Sequence, residues 1–149
     1  MAITPELVGR SYPAIEPYQV SREAVRAFAD AVGAQASAHR AVAAAQELGH
    51  ADLVAPPTFA IIVAQRAEAA VVADPEAGID FSRVVHADQR FTHHRAILAG
   101  DELTARTTVD AVRGLGTGAM VSFRTEISDT QGRAVSTARS SLLVRGDDQ

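Results

Sequence analysis

The chain has 149 residues, 47% of them hydrophobic, and a formal net charge of −4, which suits one domain able to bury its own core. It contains no Cys, Trp, Lys or Asn; its fourteen basic residues are all Arg, and 30 positions are Ala. These absences exclude disulfide frameworks, thiolate nucleophiles and Cys-ligated metals, Schiff-base lysines and Walker-type phosphate loops, and N-glycosylation. The negative charge and scattered Arg residues do not suit a phosphate-backbone binder, so no nucleic-acid partner is expected.

Residues 1–19, with prolines at 5, 13 and 17, read as irregular, and Tyr18 to Val20 as a short edge strand. No basic region followed by an apolar run opens the chain, so no signal peptide is read. Ser21 is a plausible N-cap for a helix over Arg22 to Val32, with Val25, Phe28, Ala29 and Val32 on one face and Gly33 ending it. A loop at 34–39 leads to a short helix, Ala41 to Leu48, stopped at Gly49. Ala55-Pro56-Pro57 cannot be helical at its centre, and Thr58 can cap a third helix, Phe59 to about Ala73. That helix is apolar on nearly all sides, which predicts burial on nearly all sides. It carries Gln65, Arg66 and Glu68 and is too short to span a bilayer, so a soluble cytoplasmic protein without a membrane partner is expected.

Asp74-Pro75 ends the helix, and a loop covers 75–81. Strands are predicted over Arg83 to His94, Glu102 to Arg113, Met120 to Ser128 and Ala134 to Val144, with turns at Gly114 to Gly118 and Asp129 to Gly132. Leu103, Ala105, Thr107 and Val109 alternate onto one face. The pattern is α+β, a single domain over residues 1–149: one buried helix and a consecutive antiparallel sheet that needs something apolar to wrap.

Local motifs sharpen this. The run Leu48-Gly49-His50-Ala51-Asp52-Leu53-Val54-Ala55-Pro56-Pro57-Thr58-Phe59 resembles the start of the central helix in MaoC-like dehydratases. Ala99-Gly100-Asp101-Glu102-Leu103 resembles that family's A-G-D-x-L turn, Val84 to Phe91 its preceding strand, and Val8-Gly9-Arg10-Ser11-Tyr12-Pro13 its N-terminal segment. The likeness spans nearly the whole chain. It is greatest to actinobacterial N-terminal-half dehydratases such as the HadA and HadC subunits of the mycobacterial (3R)-hydroxyacyl-ACP dehydratase. It implies a hot-dog fold, a long central helix wrapped by an antiparallel β-sheet. It also implies reversible loss of water from a (3R)-3-hydroxyacyl thioester, carried on ACP or CoA in fatty acid metabolism.

Active members of that family carry G-D-x-N-P-x-H after the first helix, where Asp and His handle the water and the C2 proton. The matching stretch is Gly33-Ala34-Gln35-Ala36-Ser37-Ala38-His39: Gly33 and His39 match, while Ala34, Ala36 and Ser37 replace Asp, Asn and Pro. A methyl group transfers no proton, and a positioned acid or base is worth roughly 10²–10⁴ in rate. Active members also place a Gly N–H at the start of the central helix against the thioester oxygen. Pro57 falls at or beside that position and has no N–H; losing one such donor costs on the order of 10²–10³. If the alignment slips by one residue, Thr58 N–H can serve instead.

The resemblance therefore implies a subunit that is non-catalytic or weakly catalytic and shapes the acyl channel beside a catalytic hot-dog partner. Gly33, Pro57, Thr58, Phe59 and Ile62 are the implied substrate-binding positions and His39 the one candidate catalytic group. Two alternatives stand. One is a free-standing hot-dog enzyme, either an enoyl-CoA hydratase or an acyl-CoA thioesterase. The other is a non-enzymatic acyl-thioester-binding homodimer. A homodimer or a heterodimer is expected, and no cofactor is implied.

Other residues weigh less. His39 is either a surviving catalytic group or a surface remnant. Adjacent His93 and His94 point to opposite faces of a strand and cannot chelate one ion together, so no metal site is read there. Asp101 is a turn Asp, expected to accept from local N–H groups. Glu68 keeps the thioesterase alternative open, although a solvated or interface position is the preferred explanation. The G-x-G-x-G run at Gly114, Gly116 and Gly118 lies between strands and reads as a hairpin loop.

Overall fold

A computed structural model describes residues 3–147. Local chemistry decides the helical half. Ser21 accepts from Ala24 N–H at 3.0 Å, and α1 runs Arg22–Val32 behind it. Gly33 ends the helix in the left-handed region at φ 68°, where a Cβ is disfavoured, and Ala34 N–H turns back to Ala29 O at 2.9 Å. Val25 and Ala29 are buried and Phe28 half-buried. Val32, expected on the same face, is 50% exposed, because the last turn of α1 extends past the core. Residues Ser37–His39 form a 3-10 turn, and α2 is Val42–Glu47.

The central helix does not start as expected. A 3-10 turn, Pro57–Phe59, opens it and runs into α3, Ala60–Ala73. Thr58 makes no cap hydrogen bond, because the first turn already begins at Pro57, whose fixed φ suits that position. Ala60, Val63, Ala64, Ala67, Glu68 and Val71 are buried, but Gln65, Arg66 and Ala69 are exposed. Burial on nearly all sides is thus corrected to burial on the side the sheet wraps. Asp74 ends the helix and accepts from Glu76 N–H.

Five strands form one antiparallel sheet: β1 Tyr18–Gln19, β2 Val84–His93, β3 Glu102–Leu115, β4 Gly118–Asp129 and β5 Ala134–Val144, in the order β1-β3-β4-β5-β2. Consecutive pairing holds for β3, β4 and β5, whereas β2 crosses over to pair with β5 at the far edge. Leu103, Ala105, Thr107 and Val109 face inward as the alternation predicts. The turn between β3 and β4 is only Gly116–Thr117, so the glycine run is the tip of a hairpin. Register shifts at Val109/Ala111 and His86/Asp88 bend the strands, which helps the sheet curl around α3.

The N-terminal segment, read as irregular, follows β3. Gly9, Tyr12 and Ile15 N–H donate to Val109, Thr107 and Ala105 O at 2.8, 3.0 and 3.0 Å. Much of the β3 edge is thereby covered, and β2 is left as the long open edge among the described residues. The core has two parts along α3: one around Val25, Leu53, Phe59, Val63, Leu103 and Ile127, the other around Leu7, Tyr12, Val71, Val109, Phe123 and Leu142. No helix among the described residues is long and apolar enough to cross a membrane.

Candidate active site

The loop between α1 and α2 is fastened to the segment that leads into the central helix. Val54 N–H donates to Ala38 O at 3.0 Å, and His39 Nδ1 lies 2.6 Å from Val54 O. A carbonyl only accepts, so Nδ1 carries the proton and donates; in the neutral ring Nε2 is left with its lone pair. Leu53 to Ala55 is held in turn by the loop after β2: Ala55 N–H donates to Ile97 O at 2.8 Å and Ala99 N–H to Leu53 O at 2.9 Å. Asp101 fixes that loop, taking both Arg95 Nη atoms at 2.8 and 3.2 Å and Leu98 N–H at 2.9 Å, the structural part expected of a turn Asp.

Two arginines brace the histidine loop. Arg26 Nε donates to Arg40 O at 3.0 Å; Arg40 Nη2 donates to Ala34 O at 2.9 Å, and its Nη1 pairs with Asp30 at 2.6 Å. The Asp30 carboxylate in the last turn of α1 is therefore engaged by Arg40, and Ala34 offers only a methyl group. Sequence reasoning missed Arg26, Arg40 and the Val54 carbonyl, because main-chain acceptors leave no residue-type signal.

The structure brings His39, Pro57 and Thr58 to one pole of α3. Pro57 and Thr58 are exposed, no side chain caps this turn, and Pro57 has no N–H, so Thr58 holds the first main-chain donor. Ile62 is half-buried against the core, and Gly33 is exposed at the far end of the loop. Phe59 is fully buried, with ring centroids 5.4 Å from Phe28 and 6.3 Å from Tyr18. Arg66 lies over the Tyr18 ring, 4.6 Å from its centroid.

Glu68 stands nine residues beyond Phe59, about 14 Å along the helix. A solvated position is excluded: Glu68 is 6% exposed and accepts from Ser140 Oγ at 2.7 Å. His93 and His94 contact Ser136 and Thr137 respectively, which lie on opposite faces of β5. A cleft of about 610 Å³ lies beside Asp74, Arg83 and Arg145, at the other end of α3, and no residue of the histidine site lines it.

A curled antiparallel sheet wrapped around one helix, with a histidine loop fastened to the start of that helix, defines a hot-dog protein. The chain matches the family described as FAS1-like, dehydratase domain region, over residues 6–138, and belongs to it. It is 54% identical over 146 residues to a UPF0336 protein of Leifsonia xyli subsp. xyli, covering 98% of both chains. It also resembles a chain of the HadBC (3R-hydroxyacyl-ACP dehydratase) complex from Mycobacterium tuberculosis, with a TM-score of 0.81 and 32% identity over 92% of this chain and 96% of that one. A MaoC-like dehydratase matches with a TM-score of 0.86 and 28% identity over 95% of this chain and 43% of that one.

Proposed function

We propose that this chain is the non-catalytic or weakly catalytic hot-dog subunit of a (3R)-3-hydroxyacyl-thioester dehydratase, acting in the cytoplasm on acyl chains carried by ACP or CoA. The observation that carries this reading is Ala34, where active members have Asp, in the same loop as an intact His39 held by the Val54 carbonyl. The His39 Nε2 lone pair is available for proton transfer, but the second group that must handle water is a methyl, and Asp30 is held by Arg40. Pro57 removes a further donor where the thioester oxygen develops charge.

A catalytic partner would supply what is missing. The open edge of β2 offers unpaired main-chain groups over ten residues, a natural joint for the edge strand of a second hot dog. The HadBC neighbour, itself a complex of hot-dog dehydratase chains, supports such pairing. Pro57, Thr58 and Ile62 then border the acyl channel, with Phe59 supporting them from the core.

The test is hydration of crotonyl-CoA by the pure chain, and by the chain co-expressed with a hot dog that retains G-D-x-N-P-x-H. The pure chain should run near background, and His39→Ala should leave the complex active. Ala34→Asp should raise the rate of the pure chain by roughly 10²–10⁴. Turnover of the pure protein at rates typical of active hydratases, abolished by His39→Ala, would overturn the reading in favour of a stand-alone enzyme.

A further inference from the structure

Glu68 has no part in the site above, yet it is a buried titratable group at the centre of the fold. It projects from α3 toward the inner face of the sheet, and among the described residues only Ser140 Oγ donates to it, at 2.7 Å on Oε1. Ser140 on β5 is directly opposite Gln89 on β2, so the two side chains share the inner face with Cβ atoms about 5 Å apart. Gln89 Oε1 is buried and has no hydrogen-bond donor, and Gln89 Nε2 reaches only Arg90 O at 3.5 Å. The edge strand thus presents an unpaired amide oxygen, and the central helix a buried carboxyl, to the same polar cluster. Otherwise β2 rests chiefly on β5, with Phe91 and Val84 packing against the core.

We propose that Glu68 is a proton-carrying latch that ties the open edge strand β2 to the central helix. In its neutral form one oxygen accepts from Ser140 Oγ while the carboxyl O–H donates to Gln89 Oε1. An ionised carboxylate has only acceptors and leaves the Gln89 oxygen unpaired. His86, paired with Leu142 on β2, is the other charged group that acts on Glu68; it is exposed, with Nε2 3.1 Å from Asp88 O. From β3 and β4, the inner-face neighbours Thr107, Val109, Phe123 and Thr125 carry no charge.

Burial pushes the Glu68 carboxyl above the ordinary carboxylate range, against the opposing pull of the Ser140 hydrogen bond and the His86 charge. The folded chain therefore holds this proton more tightly than the unfolded chain does. The latch is complete below the ordinary Glu range and is lost as pH rises through the raised value.

Two measurements on the full chain test this. The Glu68 carboxyl is followed by carbon NMR across pH, and hydrogen-exchange protection of the β2 amides, corrected for intrinsic exchange, is followed over the same range. Expected are a Glu68 midpoint above the ordinary Glu range and a fall in β2 protection of about tenfold at that midpoint. Glu68→Gln keeps an acceptor for Ser140 and a donor for Gln89, so it should hold β2 protected at every pH. The proposal is overturned by Glu68 titrating in the ordinary range, by pH-independent β2 protection, or by a Glu68→Gln variant that still loses protection with pH. A Glu68→Gln variant that is unprotected throughout also overturns it, because the working bond would then run from a reversed Gln89 amide to the carboxylate.

Discussion

Phe59 joins the site to the core, and Phe59→Ala should show it. The ring is fully buried and packs edge-on against Phe28 at 5.4 Å, with Tyr18 tilted at 6.3 Å. Truncation removes the buried ring and leaves a cavity bounded by α1, β1 and the first turn of the central helix. For a fully buried Phe the cost is about 3–5 kcal/mol. A domain of this kind has roughly 5–15 kcal/mol in total. At about 2–4 °C per kcal/mol for this chain length, Tm should fall by about 6–20 °C in a circular dichroism melt at fixed protein concentration. Phe59→Leu retains most of the apolar volume and should lose much less. A double-mutant cycle with Phe28→Ala should return a coupling of about 0.5–1.5 kcal/mol for the aromatic pair. A Phe59→Ala melt within about 2 °C of the parent, or strictly additive losses with Phe28→Ala, would refute this account of the pole.

The opposite pole gives two further tests. Tyr12 OH donates to Asp74 at 2.7 Å, and burial, then this bond, push the phenol up to about 12; the highest-pH step in an absorbance titration should therefore be absent from Tyr12→Phe. Tyr12 is also the foremost donor holding Asp74 below the usual carboxylate range, with Arg10 assisting. The stability deficit of Tyr12→Phe should accordingly be present at neutral pH and shrink as Asp74 protonates in acid, read as Tm against pH. Gly118→Ala would drive a Cβ into the Val144 carbonyl oxygen and close to Gly146 N, both main-chain atoms that cannot swing aside. A loss of about 1–3 kcal/mol in urea denaturation is expected, and an unchanged midpoint would refute the contact.

Local signals were legible wherever the physics is local. The Ser21 cap and the Gly33 stop bracket α1 at its predicted bounds, and β5 spans its predicted bounds too. Period-two alternation placed Leu103, Ala105, Thr107 and Val109 inside. The central helix starts earlier than the predicted Thr58 cap, since Pro57 itself opens the first turn and Thr58 lies inside it. The crossover of β2 to β5 was not legible, because strand neighbours are chosen by long-range packing and not by chain order.

By itself the sequence determined which groups stand at these positions: Ala34 offers a methyl that transfers no proton, and Pro57 has no N–H to donate. It also determined which segments curl and which coil, because caps, prolines and alternation act over a few residues. Only the tertiary structure decided what the remaining groups do. His39 is aimed by a carbonyl fifteen residues away, and Glu68 is buried against a serine seventy-two residues away. Both depend on folding the sheet around the helix, where distant main-chain atoms and lost solvent set the chemistry of a side chain.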